Sequence, residues 1–194
     1  MAGTRTRRLA ACAAAAVAAA TVLVLGVSPA VATVVDSGHY TDAYSFSYDD
    51  CGFAVDVSGT ASGHFRIREG KGKLATAFFV NDNFSYTETH TNPATGAFFT
   101  VTGNGVFNEV KATPVVGTIF EFEAVEAGQP FVLYDSDGNL VLRDRGSLHH
   151  HSLFDTEGDE VPGGVEIEYL GADVHGPHFA FENDICPIIT DLIG

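Results

Sequence analysis

The stretch IFEFEA, residues 119–124, alternates apolar and acidic side chains with a period of two. Successive side chains of a β-strand point to opposite faces, so the stretch predicts a strand with an aromatic face and a carboxylate face. VEIEY, residues 165–169, follows the same pattern. One-sided strands of this kind build antiparallel sheets that pack one face on a core and expose the other. Both stretches therefore predict an all-β fold.

Runs rich in β-branched and aromatic residues, separated by turn-forming residues, extend this prediction along the chain. The runs are residues 39–48, 52–67, 73–90, 97–111, 115–127, 131–135, 140–154 and 165–170. Long strands with short connections predict a single antiparallel meander, which closes into a small β-barrel or folds as a sandwich. We expect the barrel, with the sandwich as the alternative, because Gly59, Gly63, Gly103 and Gly105 lie inside long runs, where bends or bulges form.

Residues 1–32 have the three parts of a bacterial export signal. Three arginines among the first eight residues precede a run rich in Ala, Val and Leu, and Ala-Val-Ala follows at residues 30–32. Small residues at these positions predict cleavage after residue 32 and secretion of residues 33–194 by the general secretory route. A retained membrane anchor is the alternative, which the weakly hydrophobic, alanine-rich run disfavours.

The predicted mature domain is strongly acidic. The chain has 10 Lys and Arg against 25 Asp and Glu, and the first 32 residues hold three of the basic side chains and none of the acidic ones. Residues 33–194 therefore carry 7 basic and 25 acidic side chains, a net charge of −18. Such a charge repels phosphate backbones and anionic lipids. We expect no nucleic-acid partner and no membrane contact after cleavage, and instead a small-molecule or cationic partner.

Two cysteines remain once Cys12 is removed with the signal. Cys51 and Cys186 lie near opposite ends of the mature chain. An even pair in an exported protein normally forms a disulfide, whereas a two-cysteine metal or redox site lacks a CxxC motif here. We expect the disulfide. The segment 183–193 around Cys186 is also predicted to form a short C-terminal helix, because Pro187 suits a first turn.

Three consecutive histidines at residues 149–151 are the candidate metal ligands. On a strand, His149 and His151 share one face, and a third ligand from a neighbouring strand would complete a zinc or copper site. The candidates for the third ligand are Glu121, foremost, then Glu123, Glu88 and His90. A polar strand surface without a metal is the interpretation we prefer, so no cofactor is predicted.

Basic side chains are few and grouped. Arg66, Arg68, Arg143 and Arg145 carry most of the positive charge and are the candidate residues for binding an anion or a carboxylate at one barrel mouth. Ion pairs with nearby glutamates are the expected alternative, because surface pairs are common and individually weak.

Three stretches carry a resemblance to other proteins. SGHFRIREGKGK (residues 62–73), HTNPATG (residues 90–96) and DGNLVLRDRG (residues 137–146) resemble stretches of uncharacterised secreted proteins of high-GC Gram-positive bacteria. The resemblance covers most of the mature chain and implies export, without an activity or a catalytic residue. At the level of fold, the predicted meander is similar to lipocalin-like and allene-oxide-cyclase-like barrels, which include binding proteins and isomerases.

The sequence lacks a nucleophile elbow, a phosphate loop, a dinucleotide fingerprint and a His-Glu-x-x-His pair. Its 15 Phe and 6 Tyr suit an aromatic-lined cavity. We therefore expect a non-enzymatic secreted protein that binds a small or extended ligand. One alternative is an isomerase or cyclase with Glu and His acid–base residues in the barrel lumen, which requires His149 or His151 to point inward. Another is a structural or interaction protein of the cell surface.

Overall fold

Eight β-strands and two α-helices make up most of residues 33–194, which are the residues that this computed structural model describes. The export signal predicted over residues 1–32 lies outside them. The strands are β1 (Val34–Tyr48), β2 (Val55–Glu69), β3 (Phe78–Thr91), β4 (Phe98–Val116), β5 (Ile119–Tyr134), β6 (Leu140–Arg143), β7 (Gly146–Asp155) and β8 (Val165–His175). The helices are α1 (Phe179–Glu182) and α2 (Cys186–Ile193), and a short 3-10 turn (Gly72–Leu74) follows β2.

The strands form one antiparallel meander. β1 to β5 pair in chain order, β7 pairs with β5, β8 pairs with β7, and the short β6 pairs with the end of β5. The predicted all-β meander with a short C-terminal helix is therefore confirmed. The hydrogen-bonded path begins at β1 and ends at β8, and no ladder joins these two strands within the described residues. The sheet is open, so closure into a barrel stays a prediction.

The turn predicted at residues 128–130 is wrong, because β5 continues through it. Pro130 has no N–H to donate to a ladder, and the strand accommodates it with a bulge. Opposite the interval from Thr102 to Asn104 of β4, β5 contains one extra residue. The carbonyl oxygen of Pro130 meanwhile accepts a hydrogen bond from the Tyr86 hydroxyl at 2.7 Å.

The strand predicted over residues 140–154 is divided in the structure into β6 and β7. The division lies at Asp144, which is 2% exposed. Its backbone N–H donates to the carbonyl of Phe131, and its carboxylate oxygens accept the N–H of Ala180 at 3.0 and 3.2 Å. A buried carboxylate needs such donors, so Asp144 ties α1 to the sheet instead of continuing a ladder.

Two apolar clusters lie on one face of the sheet, the inner face. The first consists of Val55, Phe99, Val101 and Leu133 with Ile189 and Ile193 of α2. The second consists of Ala77, Ala112, Phe120 and Phe122. Asn92 donates its side-chain N–H to the carbonyl of Ile193 at 2.8 Å, which fixes the end of α2 on the sheet. The C-terminal helix therefore covers one end of the inner face, and its first turn contains Pro187 as predicted.

A tyrosine of β1 crosses β2 to reach β3. Tyr44 pairs with Gly59, which in turn pairs with Glu88, and the Tyr44 hydroxyl donates to Glu88 Oε1 at 2.7 Å. A Cβ atom at position 59 would lie 2.8 Å from the Tyr44 ring and 2.9 Å from the Glu88 side chain, so glycine is required there. Burial and the hydrogen bond to Glu88 raise the pKa of Tyr44 to about 12, and the hydroxyl stays protonated.

We call this arrangement a tyrosine brace: a tyrosine that crosses a glycine of the next strand and donates to an acceptor on the strand beyond. Two more braces have the same form. They are Tyr40 over Gly63 to Asp82 Oδ2 at 2.8 Å, and Tyr86 over Gly103 to the carbonyl of Pro130 at 2.7 Å. The bulges predicted from the interior glycines are absent at Gly59 and Gly63, where the register is regular, and a register shift is present at Gly103.

The disulfide predicted between Cys51 and Cys186 is confirmed. It joins the β1–β2 connection to the first residue of α2 across a sequence separation of 135 residues. Cys51 also packs against the apolar cluster beneath α2. The bond therefore holds the helix on the inner face in addition to closing a long loop.

Removing the disulfide should destabilise the domain strongly. In the chain-entropy model, a loop of this length raises the free energy of unfolding by roughly 4–5 kcal/mol. We expect the double variant Cys51→Ser, Cys186→Ser to lose most of that amount in urea unfolding. Dithiothreitol should lower the wild-type midpoint to that of the variant and leave the variant unchanged. Equal midpoints for the oxidised and reduced wild type would contradict this expectation.

Removing the hydroxyl group of one tyrosine brace should also lower the stability of the domain. The hydrogen bond from Tyr44 has a charged acceptor, so Tyr44→Phe should lower the free energy of unfolding by about 1.5–3 kcal/mol. Tyr134→Phe is the matched control, because the Tyr134 hydroxyl makes no hydrogen bond within residues 33–194. Chemical denaturation of both variants measures the difference. Equal losses in the two variants would show that the brace adds no stability.

Candidate functional site

The histidine triplet places only its middle member on the inner face. On β7, His150 pairs with Ala124 of β5, whereas His149 and His151 pair with Val125 and Glu123. Ala124 is buried and shares the inner face with Phe122. The requirement that His149 or His151 point inward is therefore not met, and the residue that points inward is His150.

His149 and His151 lie on the opposite, outer face with their expected glutamates. His151 Nδ1 is 3.5 Å from Glu121 Oε1, and His149 Nδ1 is 3.9 Å from Glu123 Oε1. Asp173 of β8 approaches His151 Nε2 to 3.9 Å. Within residues 33–194, no group of three or more His, Cys, Asp or Glu side chains has the arrangement of a metal site. The structure thus brings His151 and Glu121 together but does not join them with His149 in one ligand set.

The four candidate arginines fall into two groups. Arg66 and Arg68 lie on β2, whereas Arg143 ends β6 and Arg145 follows it, with β3, β4 and β5 between the two groups in the sheet. The predicted anion site at a single mouth is therefore not assembled. Arg68 lines a cavity of about 280 Å³, which it shares with Lys71 and Glu109.

The inner face contains a cavity of about 290 Å³ between β4, β5, β7 and β8. Its wall combines aromatic rings with carboxylates, a histidine and hydroxyl groups. The lining residues are Phe107, Glu109, Phe122, Ala124, Glu126, His150, Ser152, Phe154, Glu166 and Tyr169. A cavity of about 230 Å³ adjoins it and shares Glu109, Phe122 and Phe154. The two together form the candidate site.

Small side chains leave the room for this cavity. Glu109, Ala124, His150 and Ala172 form one row across β4, β5, β7 and β8. Neighbouring strands lie about 4.8 Å apart, so Glu109 and His150 are separated by roughly 10 Å of backbone with only a methyl group between them. A larger residue at position 124 would fill the space. Ala124 is therefore the floor of the cavity.

A chain of polar contacts runs along one wall. His150 Nε2 lies 3.3 Å from Glu126 Oε2, and His150 Nδ1 lies 3.0 Å from the Tyr169 hydroxyl. An ionised carboxylate only accepts, so His150 Nε2 donates to Glu126, and Nδ1 shares a hydrogen bond with the Tyr169 hydroxyl. Ser152 donates to Glu166 Oε2 at 3.0 Å beside them. The two contacts fix the orientation of the imidazole within the cavity wall.

Glu109 lines both cavities of the candidate site. The backbone N–H of Val80 donates to its Oε2 at 2.6 Å. Burial raises the pKa of the Glu109 carboxyl, and the Val80 hydrogen bond opposes part of that rise. Glu109 is thus a carboxyl group whose ionisation is disfavoured by the apolar surroundings of the cavity.

A second histidine on the inner face has a structural role. His90 Nε2 lies 3.0 Å from Glu88 Oε2, and its Nδ1 lies 3.2 Å from the Tyr48 hydroxyl. The ring stacks on Phe99 at a centroid distance of 4.7 Å. Burial lowers the pKa of His90, and Glu88 opposes that shift. This group closes the end of the inner face near α2 and lines none of the cavities described above.

Sequence reasoning did not single out the cavity residues Glu109, Glu126, His150 and Tyr169 as a group. A signal for Glu126 is present in the chain, because the period of two that puts Ala124 on the core face also puts residue 126 there. His150 gives no such signal by itself, since the inward member of a triplet depends on the strand register.

No family model, no curated protein and no solved structure matches the chain. No helix within residues 33–194 is long and apolar enough to cross a membrane.

The ionisation of Glu109 should reduce stability as the pH rises. Its pKa is higher in the folded state, so the fold retains a proton that the unfolded chain loses above the ordinary value of 4.5. The free energy of unfolding of Glu109→Gln minus that of the wild type should therefore grow between pH 4 and pH 7, as measured by urea unfolding. Glu168→Gln, at an exposed position of β8, is the control and should show no such growth.

Proposed function

We propose that residues 33–194 form an exported binding protein that holds a small organic ligand in the inner cavity. The observation that carries this proposal is the cavity wall, which places Phe107, Phe122, Phe154 and Tyr169 beside a few oriented polar groups. Small-molecule sites have this composition: mostly apolar and aromatic surface with a small number of polar groups that fix orientation.

The volume supports a small ligand. The main cavity, of about 290 Å³, and the adjoining cavity, of about 230 Å³, meet at Glu109, Phe122 and Phe154. Ligand pockets usually begin at about 300 Å³. The site therefore suits a compact molecule that fills one cavity or a longer one that extends into the second.

Export is supported by the disulfide and by the export signal predicted over residues 1–32. Disulfides persist in oxidising compartments outside the cytosol, and the Cys51–Cys186 bond joins distant parts of the fold. The net charge of −18 in the same residues favours solubility outside the cell and disfavours nucleic acid as a partner. The proposed site of action is therefore extracellular.

Filling the cavity should abolish binding. A screen of small aromatic and alicyclic compounds by thermal shift should find ligands that raise the unfolding temperature, because a ligand at 100 times its Kd stabilises by about 2.7 kcal/mol. Ala124→Phe, at the cavity floor, should lose the shift for every such ligand. Val125→Phe is the matched control on the outer face of β5 and should keep it. A shift that persists in Ala124→Phe would place the binding elsewhere.

Acid–base catalysis in the same cavity is a second candidate function. The observation that favours it is the chain from Glu126 through His150 to Tyr169, which orients an imidazole, the side chain most often used in acid–base catalysis. A ligand found in the screen, incubated with the protein in D₂O, would then exchange an acidic C–H proton, as followed by NMR. His150→Gln should abolish that exchange while binding continues. If the wild type exchanges the proton no faster than the uncatalysed reaction does, the catalytic candidate is wrong and the binding function is unaffected.

A further inference from the structure

The cavity wall has more acidic than basic side chains, and one of the acidic ones, Glu109, is a carboxyl group whose ionisation burial disfavours and which also lines a neighbouring cavity with Arg68. Glu109, Glu126 and Glu166 line it, and no Lys or Arg side chain is among the lining residues. The basic side chain among them, His150, lies between Glu126 and Tyr169, within hydrogen-bond distance of both. Carboxylates attract cations and repel anions, so this wall favours a positively charged ligand.

Each of these carboxylates has an oxygen to spare. Val80 N–H reaches Oε2 of Glu109, His150 reaches Oε2 of Glu126, and Ser152 reaches Oε2 of Glu166. Each of these three hydrogen bonds reaches the Oε2 atom, and the Oε1 atom of the same carboxyl group is the second acceptor. A carboxylate accepts several hydrogen bonds, so three acceptor atoms remain for a ligand that brings donors.

The aromatic rings of the cavity wall also favour a cation. Phe107, Phe122, Phe154 and Tyr169 form the apolar part of the wall, and the face of an aromatic ring attracts a cation. This attraction strengthens as water is removed, which is the condition inside a cavity. The rings also provide apolar contact for the rest of the ligand. Both parts of the wall therefore select the same molecule.

We infer that the ligand of this cavity is a protonated organic amine: an ammonium group bound by the carboxylates, on an apolar body that packs against the rings. This inference rests on the proposed binding function and names the ligand class. A bare metal ion does not fit as well, because within residues 33–194 no three acidic, histidine or cysteine side chains are arranged as metal ligands. The aromatic wall would also be left without a partner.

Three probes of similar size and different charge test the inference. Isothermal titration calorimetry at pH 7.5 and 0.15 M salt compares 2-phenylethylamine, which is a cation, with neutral 2-phenylethanol and anionic 3-phenylpropanoate. We expect the amine to bind with one-to-one stoichiometry and at least about tenfold more tightly than the alcohol, because charge-assisted hydrogen bonds exceed neutral ones by that amount. The anion should not bind measurably.

Variants identify the carboxylates. Glu126→Gln with Glu166→Gln should reduce the preference for the amine over the alcohol by about tenfold, because the charged acceptors become neutral ones of the same shape. Glu168→Gln, which lies between Glu166 and Tyr169 in sequence but outside the cavity lining, is the matched control and should keep the full preference. Ala124→Phe should remove amine binding, which separates the cavity from attraction to the acidic surface.

The outcomes distinguish the inference from the proposed function. Equal affinities for the amine and the alcohol, both lost in Ala124→Phe, would overturn the amine inference and leave the binding cavity intact. Tighter binding of the anion would do the same. Amine binding that persists in Ala124→Phe would show attraction to the surface and would also overturn it. Failure of every compound to bind, in this titration and in the thermal-shift screen, would overturn both.

Discussion

The tyrosine braces are the interaction on which the inner face depends. An antiparallel sheet keeps its backbone groups paired within each ladder, but its side chains normally contact only adjacent strands. Tyr44 joins β1 directly to β3, and Tyr86 joins β3 to β5, each across a glycine. Two successive spans therefore tie five strands together on one side. Polar hydroxyls and carboxylates occupy the centre of the inner face because they satisfy one another there.

This constraint also explains where the cavity lies. The first apolar cluster and α2 fill one end of the inner face, and the braces fill the part nearest β1. The Tyr86 brace crosses β4 at Gly103, away from the cavity, and the region around Glu109, Ala124 and His150 is crossed by none of the three braces. Its central row contains Ala124 and Ala172. The site is thus the part of the inner face that the braces do not reach.

The sequence contained most of the fold but only part of the site. Alternation in IFEFEA assigns a face to the residues of β5 that precede its bulge, and it extends correctly to Glu126. Alternation does not reveal which strands are neighbours or in which register they pair. The register decides which of the three consecutive histidines points inward. The glycines within the strands were recognisable in the sequence as special positions. The reason for a glycine is that a ring from the neighbouring strand crosses it, and this is a contact between distant residues: Tyr44 and Gly59 are 15 positions apart in the chain. The period of two describes residues within one strand, whereas the cavity lies between side chains that the strand register brings together from four strands.

The bond between Cys51 and Cys186 sets an order of events for an exported chain. If the domain crosses the membrane from its N-terminus, as the predicted signal implies, the first cysteine arrives outside 135 residues before its partner. During that interval Cys51 is an unpaired thiol in an oxidising compartment, open to mixed disulfides with other proteins. The absence of any further cysteine in residues 33–194 removes every wrong intramolecular choice. The domain therefore avoids mispaired disulfides within the chain, but its one disulfide forms only after the second cysteine has also been exported.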